Sequence, residues 1–273
     1  MAQARVGISG WTYPPWRGVF YPAGLPHRKE LDFVASRMNT VEINGSFYAL
    51  QRPSSFRDWF SRTPDDFVFA VKGGRFITHM KKLVEVETPL ANFFASGVLA
   101  LEHKLGPLLW QLPPTLGFHP DRLAAFFDRL PRTTAQAASI AEGHDNRLRH
   151  GAVTTTAVDR PLRHAVEVRH RSFEAEQFVD LLRDHDIGLV VADSAGRFPS
   201  FGEVTAGFVY VRLHGAEELY VSGYTPGALD TWAARCRSWT AAGLDVYVYF
   251  DNDVKVRAPF DAIGLLERVR AAG

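Results

Sequence analysis

The chain contains a single cysteine, Cys236, which excludes an internal disulfide framework and any metal or iron–sulfur site built from several cysteines. Its formal net charge of +1 excludes the global basic field of a dedicated nucleic-acid-binding protein, but it leaves room for a local basic patch. No motif for a redox or group-transfer cofactor occurs, so we expect no bound cofactor.

Long apolar runs are also missing from the sequence. The N-terminal stretch MAQARVGISGW has no apolar segment before a cleavage site, and no run of about 18 apolar residues occurs. We therefore expect a soluble, cytoplasmic protein without a membrane partner. A chain of 273 residues, 46% of them hydrophobic, is long enough for one large core, and we expect a single domain over residues 1–273.

Short segments that alternate apolar and polar residues recur along the chain, with predicted helices between them. In the segment HAVEVRH, Ala165, Glu167 and Arg169 face one side and Val166 and Val168 the other, as in a β-strand. We count eight such strands, whose apolar outer faces require helices to cover them. The pattern predicts an α/β fold, a single (β/α)8 TIM barrel with parallel strands. A doubly wound open sheet is the alternative, but no Gly-rich phosphate turn follows the first strand.

The ordered motifs GISGWTYPPWRGVFYP, VEINGSFY, AVKGGRFITH, LWQLPP, HAVEVRH, VADS, YVRLHG and VYVYFDND resemble the YecE-like family, a domain of unknown function. The resemblance covers nearly the whole chain and implies a TIM barrel, but it implies no activity. Two departures from the family pattern stand out. Strand eight ends in Asp251-Asn252 where we expect an Asn-rich ending, and the stretch at about 131–163 is longer than in compact members.

The stretch from Pro131 to Arg163 breaks the alternation of strands and helices. It is rich in Ala and Thr around the charged sequence EGHDNRLRH, and it lies between a predicted helix and the next strand. We interpret it as an insertion with one short helix, on the face opposite the barrel mouth, and not as a separate domain.

Polar side chains at the C-terminal ends of barrel strands are where TIM-barrel enzymes carry their chemistry. Our leading hypothesis is a site for an anionic, phosphorylated ligand held by Lys72, Arg169 and Arg212. Glu167 or Asp193 is the expected base and His214 the expected acid. Further ligand contacts are predicted for strand-end residues, with stacking by aromatic residues of the first loop: Glu42, Asn44, Gln111, Asp251, Trp11, Trp16 and Tyr21.

Three alternatives stay open on the sequence. The acids and bases could pair with one another as structural ion pairs, and the aromatic loop could simply pack on the barrel rim. A metal-assisted phosphodiesterase would need ligands such as Glu42, Glu167, Asp193, His79 and His214, although no HxH or HExxH spacing occurs. A non-catalytic nucleic-acid or nucleotide-binding module would use the basic segments RFITHMKK and HDNRLRH. Whether the protein is an enzyme, as a hydrolase, lyase or isomerase of a phosphorylated substrate, is left open.

Overall fold

The computed structural model describes residues 1–271, and within them eight parallel strands form a closed barrel in chain order. The predicted (β/α)8 TIM barrel is confirmed. The strands are β1 (Ala4–Ser9), β2 (Thr40–Ile43), β3 (Val68–Lys72), β4 (Leu105–Gln111), β5 (His164–Glu167), β6 (Ile187–Asp193), β7 (Phe208–Leu213) and β8 (Asp245–Phe250).

Helices separate most of these strands, and one π-helical turn, Phe76–Met80, follows β3. The α-helices of residues 1–271 are α1 (Glu30–Ala35), α2 (Gly45–Tyr48), α3 (Pro53–Ser61), α4 (Glu87–Ala95), α5 (Pro120–Phe127), α6 (Thr134–Ala141), α7 (Glu176–Asp184), α8 (Pro226–Ala241) and α9 (Ala258–Arg270). None of them combines the length and the hydropathy that crossing a membrane requires.

Two compact units make up the described chain, and the first comprises residues 1–42 and 188–271. Here β1 pairs with both β2 and β8, and β7 pairs with β6 and β8. Helix α9 packs against β1, where Val6 and Ile8 are fully buried. Gly7 is required by close approach, because a Cβ atom there would lie 1.9 Å from the carbonyl oxygen of Thr40.

The second unit comprises residues 43–187. Strand β4 pairs with β3 and β5, and Trp110 of β4 packs against Phe93 of α4 and Phe126 of α5. The indole Nε1 of Trp110 donates a hydrogen bond to His164 Nδ1 at 3.1 Å. Complete burial lowers the pKa of His164 to about 4, so this histidine is a neutral part of the core at pH 7.

Several element boundaries differ from the sequence-based expectation. The stretch from Thr88 to Leu105 has the composition of one long helix, but it is divided: α4 ends at Ala95, Gly97 adopts φ +121°, and a 3-10 segment, Val98–Lys104, follows. The sequence GSFY after β2 forms α2 and does not continue the strand. The insertion contains α6, whose N-cap Thr133 accepts a hydrogen bond from the Gln136 backbone N–H.

Candidate functional site

A buried polar network occupies the C-terminal ends of β1, β2, β7 and β8. The strand register places Ser9 beside Glu42, and Arg212 beside Tyr249, so these side chains share the face that points into the barrel. We call this set the Glu42 network; it consists of Ser9, Glu42, Tyr210, Arg212, His214 and Asp251.

The Glu42 carboxylate is the centre of this network. It accepts hydrogen bonds from Ser9 Oγ at 2.6 Å and from the Tyr210 hydroxyl at 2.7 Å. Arg212 donates to both carboxylate oxygens, through Nε at 3.1 Å and Nη2 at 2.9 Å, which is a bidentate ion pair. Burial and then the negative charge of Glu42 raise the pKa of Tyr210, so its hydroxyl remains a donor.

Arg212 also connects Glu42 to a second carboxylate. Its Nη2 donates to Asp251 Oδ2 at 3.0 Å, and His214 Nδ1 lies 3.1 Å from the same oxygen. The side chains of Glu42, Arg212 and His214 have no solvent-exposed surface. Arg212 is therefore paired with two carboxylates and closed to solvent. This arrangement corresponds to the alternative of a structural ion pair, and it does not support the expected contact of Arg212 with a ligand.

Asp193 does not join the Glu42 network. The register pairs Ala192 with Arg212 and Asp193 with Leu213. Asp193 therefore lies on the face opposite Arg212, and the expectation that it points into the barrel is wrong. Burial and then the negative charge of Asp193 raise the pKa of Tyr224. Asp193 thus interacts with Tyr224 on the outer face and lies away from the acid and base groups inside.

The aromatic residues of the first loop pack against one another. Trp16 and Tyr21 are buried, and Trp16 makes an edge-to-face contact with Phe20 at 5.7 Å between ring centroids. The Tyr21 hydroxyl donates to the backbone oxygen of Trp11 at 2.5 Å, and the Trp11 side chain stays half-buried. Trp16 and Tyr21 therefore support the loop, and of the three residues predicted to stack on a ligand Trp11 is the one that keeps an exposed surface.

A second polar cluster lies at the C-terminal ends of β3, β4 and β5. The register places Lys72 beside Leu109 and Gln111 beside Glu167, so Lys72, Gln111 and Glu167 share one face. With Arg169 and His79, which follow their strands, they form what we call the Glu167 cluster.

Arg169 is held in a fixed orientation within the Glu167 cluster. Its Nε donates to Glu167 Oε1 at 2.9 Å and its Nη2 to Gln111 Oε1 at 3.1 Å. The ammonium of Lys72 lies 4.2 Å from the ring centroid of Phe47, and the His79 ring meets that ring edge-on at 5.1 Å. The Arg169 side chain is 12% exposed, whereas the Arg212 side chain has no exposed surface, so the guanidinium of this cluster reaches solvent and that of the Glu42 network does not.

The pKa of His79 reflects the charges of the Glu167 cluster. Burial, and then the positive charges of Lys72, Arg169 and Arg75, lower the pKa of His79 to about 4. Glu167 is the carboxylate that acts in the opposite direction. Three cations against one carboxylate give this region a positive potential, and they leave His79 neutral at pH 7.

Asn44, which sequence reasoning placed among the ligand-binding residues, precedes α2 and is half-buried. Its Oδ1 atom is buried without a hydrogen-bond partner among the residues that the structure describes. An amide oxygen of this kind is an acceptor that a donor group of a ligand can satisfy.

A pocket of about 250 Å³ adjoins α2 and the π-helical turn, and we call it the Phe76 pocket. Its lining comes from α2 and the loop after it, the end of β3, α4 and the insertion. The lining residues are Ser46, Phe47, Tyr48, Ala49, Leu50, Gly74, Arg75, Phe76, Ile77, Met80, Pro89, Asn92, Phe93 and Arg147.

The insertion reaches this pocket through a pair of hydrogen bonds, which we call the Asn92–Asp145 clasp. Asn92 Nδ2 donates to Asp145 Oδ1 at 3.0 Å, and the Asp145 backbone N–H donates to Asn92 Oδ1 at 3.0 Å. The clasp places the Arg147 guanidinium 5.3 Å from the ring centroid of Phe76. Phe76 follows β3 by four residues, so the expectation that the insertion lies on the opposite face is wrong for its part around Arg147. Arg160, near the end of the insertion, instead donates to the carbonyl oxygen of Glu102 before β4.

Sequence reasoning missed the Phe76 pocket as a unit. Arg75 and Arg147 were noted only as members of two basic segments, and their shared pocket has no local signal because Asn92 and Asp145 lie 53 residues apart. The asparagine is an unremarkable member of α4 in the sequence. Only the folded chain shows that Asn92 binds the insertion through Asp145.

Metal coordination was one of the alternatives for these residues. Within residues 1–271, no group of three or more His, Cys, Asp or Glu side chains is arranged to hold a metal ion. The proposed metal ligands are in fact divided: Glu42 and His214 belong to the Glu42 network, Glu167 and His79 to the Glu167 cluster, and Asp193 to neither.

The sequence profile of a family described as "Protein of unknown function DUF72" matches residues 5–273. UPF0759 protein YecE of Escherichia coli K12 is 32% identical over 129 residues, which are 46% of this chain and 44% of YecE. UPF0759 protein YunF of Bacillus subtilis 168 is 29% identical over 114 residues, 40% of this chain and 39% of YunF. The matches span less than half of these relatives, and they confirm the resemblance to the YecE-like family.

Solved structures of two DUF72 family proteins share the fold. The protein from Thermotoga maritima aligns with a TM-score of 0.77 at 24% identity, covering 98% of this chain and 99% of its own. The protein from Enterococcus faecalis aligns with a TM-score of 0.73 at 16% identity, covering 98% and 96%. At these identities the likeness concerns the barrel fold alone.

Proposed function

The chain belongs to the DUF72 family of proteins of unknown function, and from its own residues we propose that it binds an anionic, phosphorylated small molecule at the Glu167 cluster. The observation that carries this proposal is the excess of positive charge around His79, where Lys72, Arg169 and Arg75 outnumber Glu167. An anion is the ligand that this potential attracts.

The two cations of the Glu167 cluster suit a phosphate in different ways. A guanidinium presents a planar fork of donors, and Glu167 and Gln111 already fix the plane of Arg169, so less freedom is lost when a ligand binds. Lys72 acts as a point charge, and its position over the Phe47 ring restricts where that charge lies. We propose that the phosphate is bound between these two groups.

Proton transfer is the chemistry that the remaining groups of the cluster support. Glu167 supplies a carboxylate that can accept a proton from the bound molecule. His79, neutral at pH 7, offers a hydrogen bond to an oxygen that gains charge without adding a further cation. His214 and Asp193, the other expected acid–base residues, lie outside the Glu167 cluster and have no role in this proposal.

Thermal unfolding in the presence of inorganic phosphate and of ribose 5-phosphate tests the proposed site. Sodium chloride at matched ionic strength is the ionic control without phosphate, and ribose is the uncharged control. A ligand at 100 times its Kd stabilises a fold by about 2.7 kcal/mol, which a shift in Tm registers. We expect the phosphate compounds to raise the Tm of the wild-type protein, and Arg169→Gln and Lys72→Gln to abolish that rise.

Arg171→Gln is the matched control, because Arg171 is exposed two residues beyond Arg169. It should keep the full response to both phosphate compounds. The proposal is wrong if the two compounds raise the Tm no more than chloride and ribose do, or if the rise is the same in Arg169→Gln, Lys72→Gln and Arg171→Gln. The Tm of each variant without ligand separates lost binding from lost stability.

A further inference from the structure

The Phe76 pocket collects large apolar side chains that the fold leaves open to solvent. Tyr48 is 63% exposed and Met80 is 66% exposed, and both line the pocket together with the partly exposed Leu50. Exposed apolar groups are usually scattered singly over a protein surface, so their concentration around one concave site favours a binding role.

Two arginines add positive charge to this apolar lining, and each lies over an aromatic ring. The Arg75 guanidinium is 5.9 Å from the Tyr48 ring centroid, and that of Arg147 is 5.3 Å from the Phe76 centroid. Arg75 makes no ion pair within residues 1–271. Arg147 has one weak partner, Asp145, at 3.6 Å, and its side chain is 60% exposed.

The main chain holds both arginines in place. Arg75 directly follows the Gly73-Gly74 pair at the end of β3 and precedes the π-helical turn. Arg147 donates its backbone N–H to Asp145 Oδ1 at 2.9 Å, so the Asn92–Asp145 clasp fixes the segment that carries it. The hydrogen bonds of the clasp fix the main chain beside Arg147 while its guanidinium stays exposed, so an incoming anion can reach a cation whose backbone is already ordered.

We infer that the Phe76 pocket is a second ligand site, which binds a small aromatic anion: a body of one or two rings among Phe47, Phe76 and Met80, with a carboxylate, sulfonate or phosphate group against Arg75 and Arg147. The volume of about 250 Å³ sets the size of the body, since pockets for drug-sized ligands start at roughly 300 Å³. This inference uses neither Lys72 nor Arg169. Arg75 also contributes to the positive potential around His79, so Arg147→Gln and Arg169→Gln are the variants that distinguish the two sites.

The fluorescent aromatic anion 8-anilinonaphthalene-1-sulfonate and its uncharged counterpart N-phenyl-1-naphthylamine are the probes for this site. Titration of the full-length protein should give one saturable site for the sulfonate and weaker binding of the amine. Arg147→Gln and Arg75→Gln should each weaken sulfonate binding by about fivefold, the effect of losing one partly exposed charge contact. Their affinity for the amine should stay unchanged.

Two further variants complete the experiment. Arg149→Gln removes an exposed arginine of the insertion that does not line the pocket, and it should bind the sulfonate like the wild type. Gly74→Leu should fill the pocket, since Gly74 lines it. A Cβ atom at this position would lie 3.7 Å from the Ser46 carbonyl oxygen, which is an ordinary contact, so the main chain need not move. We expect this variant to lose sulfonate binding.

The inference is overturned if Gly74→Leu keeps the wild-type affinity, if Arg147→Gln binds the sulfonate as tightly as Arg149→Gln does, or if the amine binds as tightly as the sulfonate. Arg169→Gln should leave sulfonate binding intact. A phosphate response that is lost in Arg169→Gln while the sulfonate still binds separates the two sites, and so does the reverse result in Arg147→Gln.

Discussion

The Glu42 network and the Glu167 cluster use the same residue types at the ends of β-strands, yet they differ in charge balance and in the exposure of their arginine to solvent. In the Glu42 network one arginine faces two carboxylates, and the Arg212 side chain has no exposed surface. In the Glu167 cluster one carboxylate stands among cations, and Arg169 keeps part of its surface open. The comparison teaches that the partners of an arginine, more than its presence at a strand end, decide whether it holds the fold or is available to a ligand.

The largest difference between the two regions should appear when the arginine is removed. Arg212→Met leaves Glu42 charged and buried, and we expect a loss of about 3–5 kcal/mol in the free energy of unfolding. Arg169→Met should cost less, about 1–2 kcal/mol, since loss of a side chain that reaches the surface admits water to Glu167. Urea unfolding of both variants measures the two losses. The comparison would be wrong if Arg212→Met lost no more unfolding free energy than Arg169→Met does.

A smaller difference is expected within the first unit, between two neighbouring tyrosines. Tyr210 donates to the charged Glu42, whereas the Tyr249 hydroxyl shares a 2.8 Å hydrogen bond with the neutral hydroxyl of Thr40. Tyr210→Phe should therefore cost about 2 kcal/mol of unfolding free energy and Tyr249→Phe about 1 kcal/mol. The two rings lie 5.1 Å apart, so packing is closely matched. If urea unfolding shows the same loss for both variants, the hydrogen bond of Tyr210 to Glu42 is no stronger than one to a neutral hydroxyl.

The smallest effects are those of pH, because solvent screens the two partly exposed groups concerned. These groups are Asp253, close to Asp251 of the Glu42 network, and His79 of the Glu167 cluster, and their effects should have opposite signs. Burial and then the charge of Asp251 raise the pKa of Asp253 to about 6, so Asp253 contributes stability at low pH that is lost as pH rises from about 4 through 6. The pKa of His79 is lowered to about 4, so its neutral form contributes stability that is lost as pH falls from about 6.5 through 4.

Urea unfolding at intervals between pH 4 and pH 7 checks these signs. Relative to the wild type, Asp253→Asn should gain stability as pH rises, and His79→Gln should gain stability as pH falls. NMR titration of the His79 ring gives its pKa directly. A His79 pKa at or above 6.5 would remove the evidence for a positive potential at the Glu167 cluster.

Alternation along the strands was sufficient to predict the barrel and the inward faces of Lys72, Gln111 and Glu167, because each of these strands has one clearly apolar face. It failed for Asp193, since both faces of IGLVVAD are apolar before the last residue and only the register with β7 distinguishes them. Periodicity gives the side on which a residue lies and not its partner.

Partners depend on which strands the closed sheet brings together. The ion pair of Glu42 with Arg212 joins residues 170 positions apart, and nothing local to either residue predicts it. The segment FITHM, which follows the Gly73-Gly74 break, forms a π-helical turn that no local pattern in the sequence predicts. For this reason the residues of the Glu167 cluster could be predicted from the sequence, whereas the Phe76 pocket beside it could not.

The Asn92–Asp145 clasp has a consequence for how the protein can diversify. It anchors the insertion to α4 by one side-chain amide and one aspartate, without using any atom of a barrel strand. Changes in length or sequence on either side of Asp145 can therefore alter what stands over Phe76 while the barrel keeps its stability. If the Phe76 pocket binds the proposed aromatic anion, the clasp separates its ligand preference from the fold, and sequence libraries confined to residues 146–152 would change that preference.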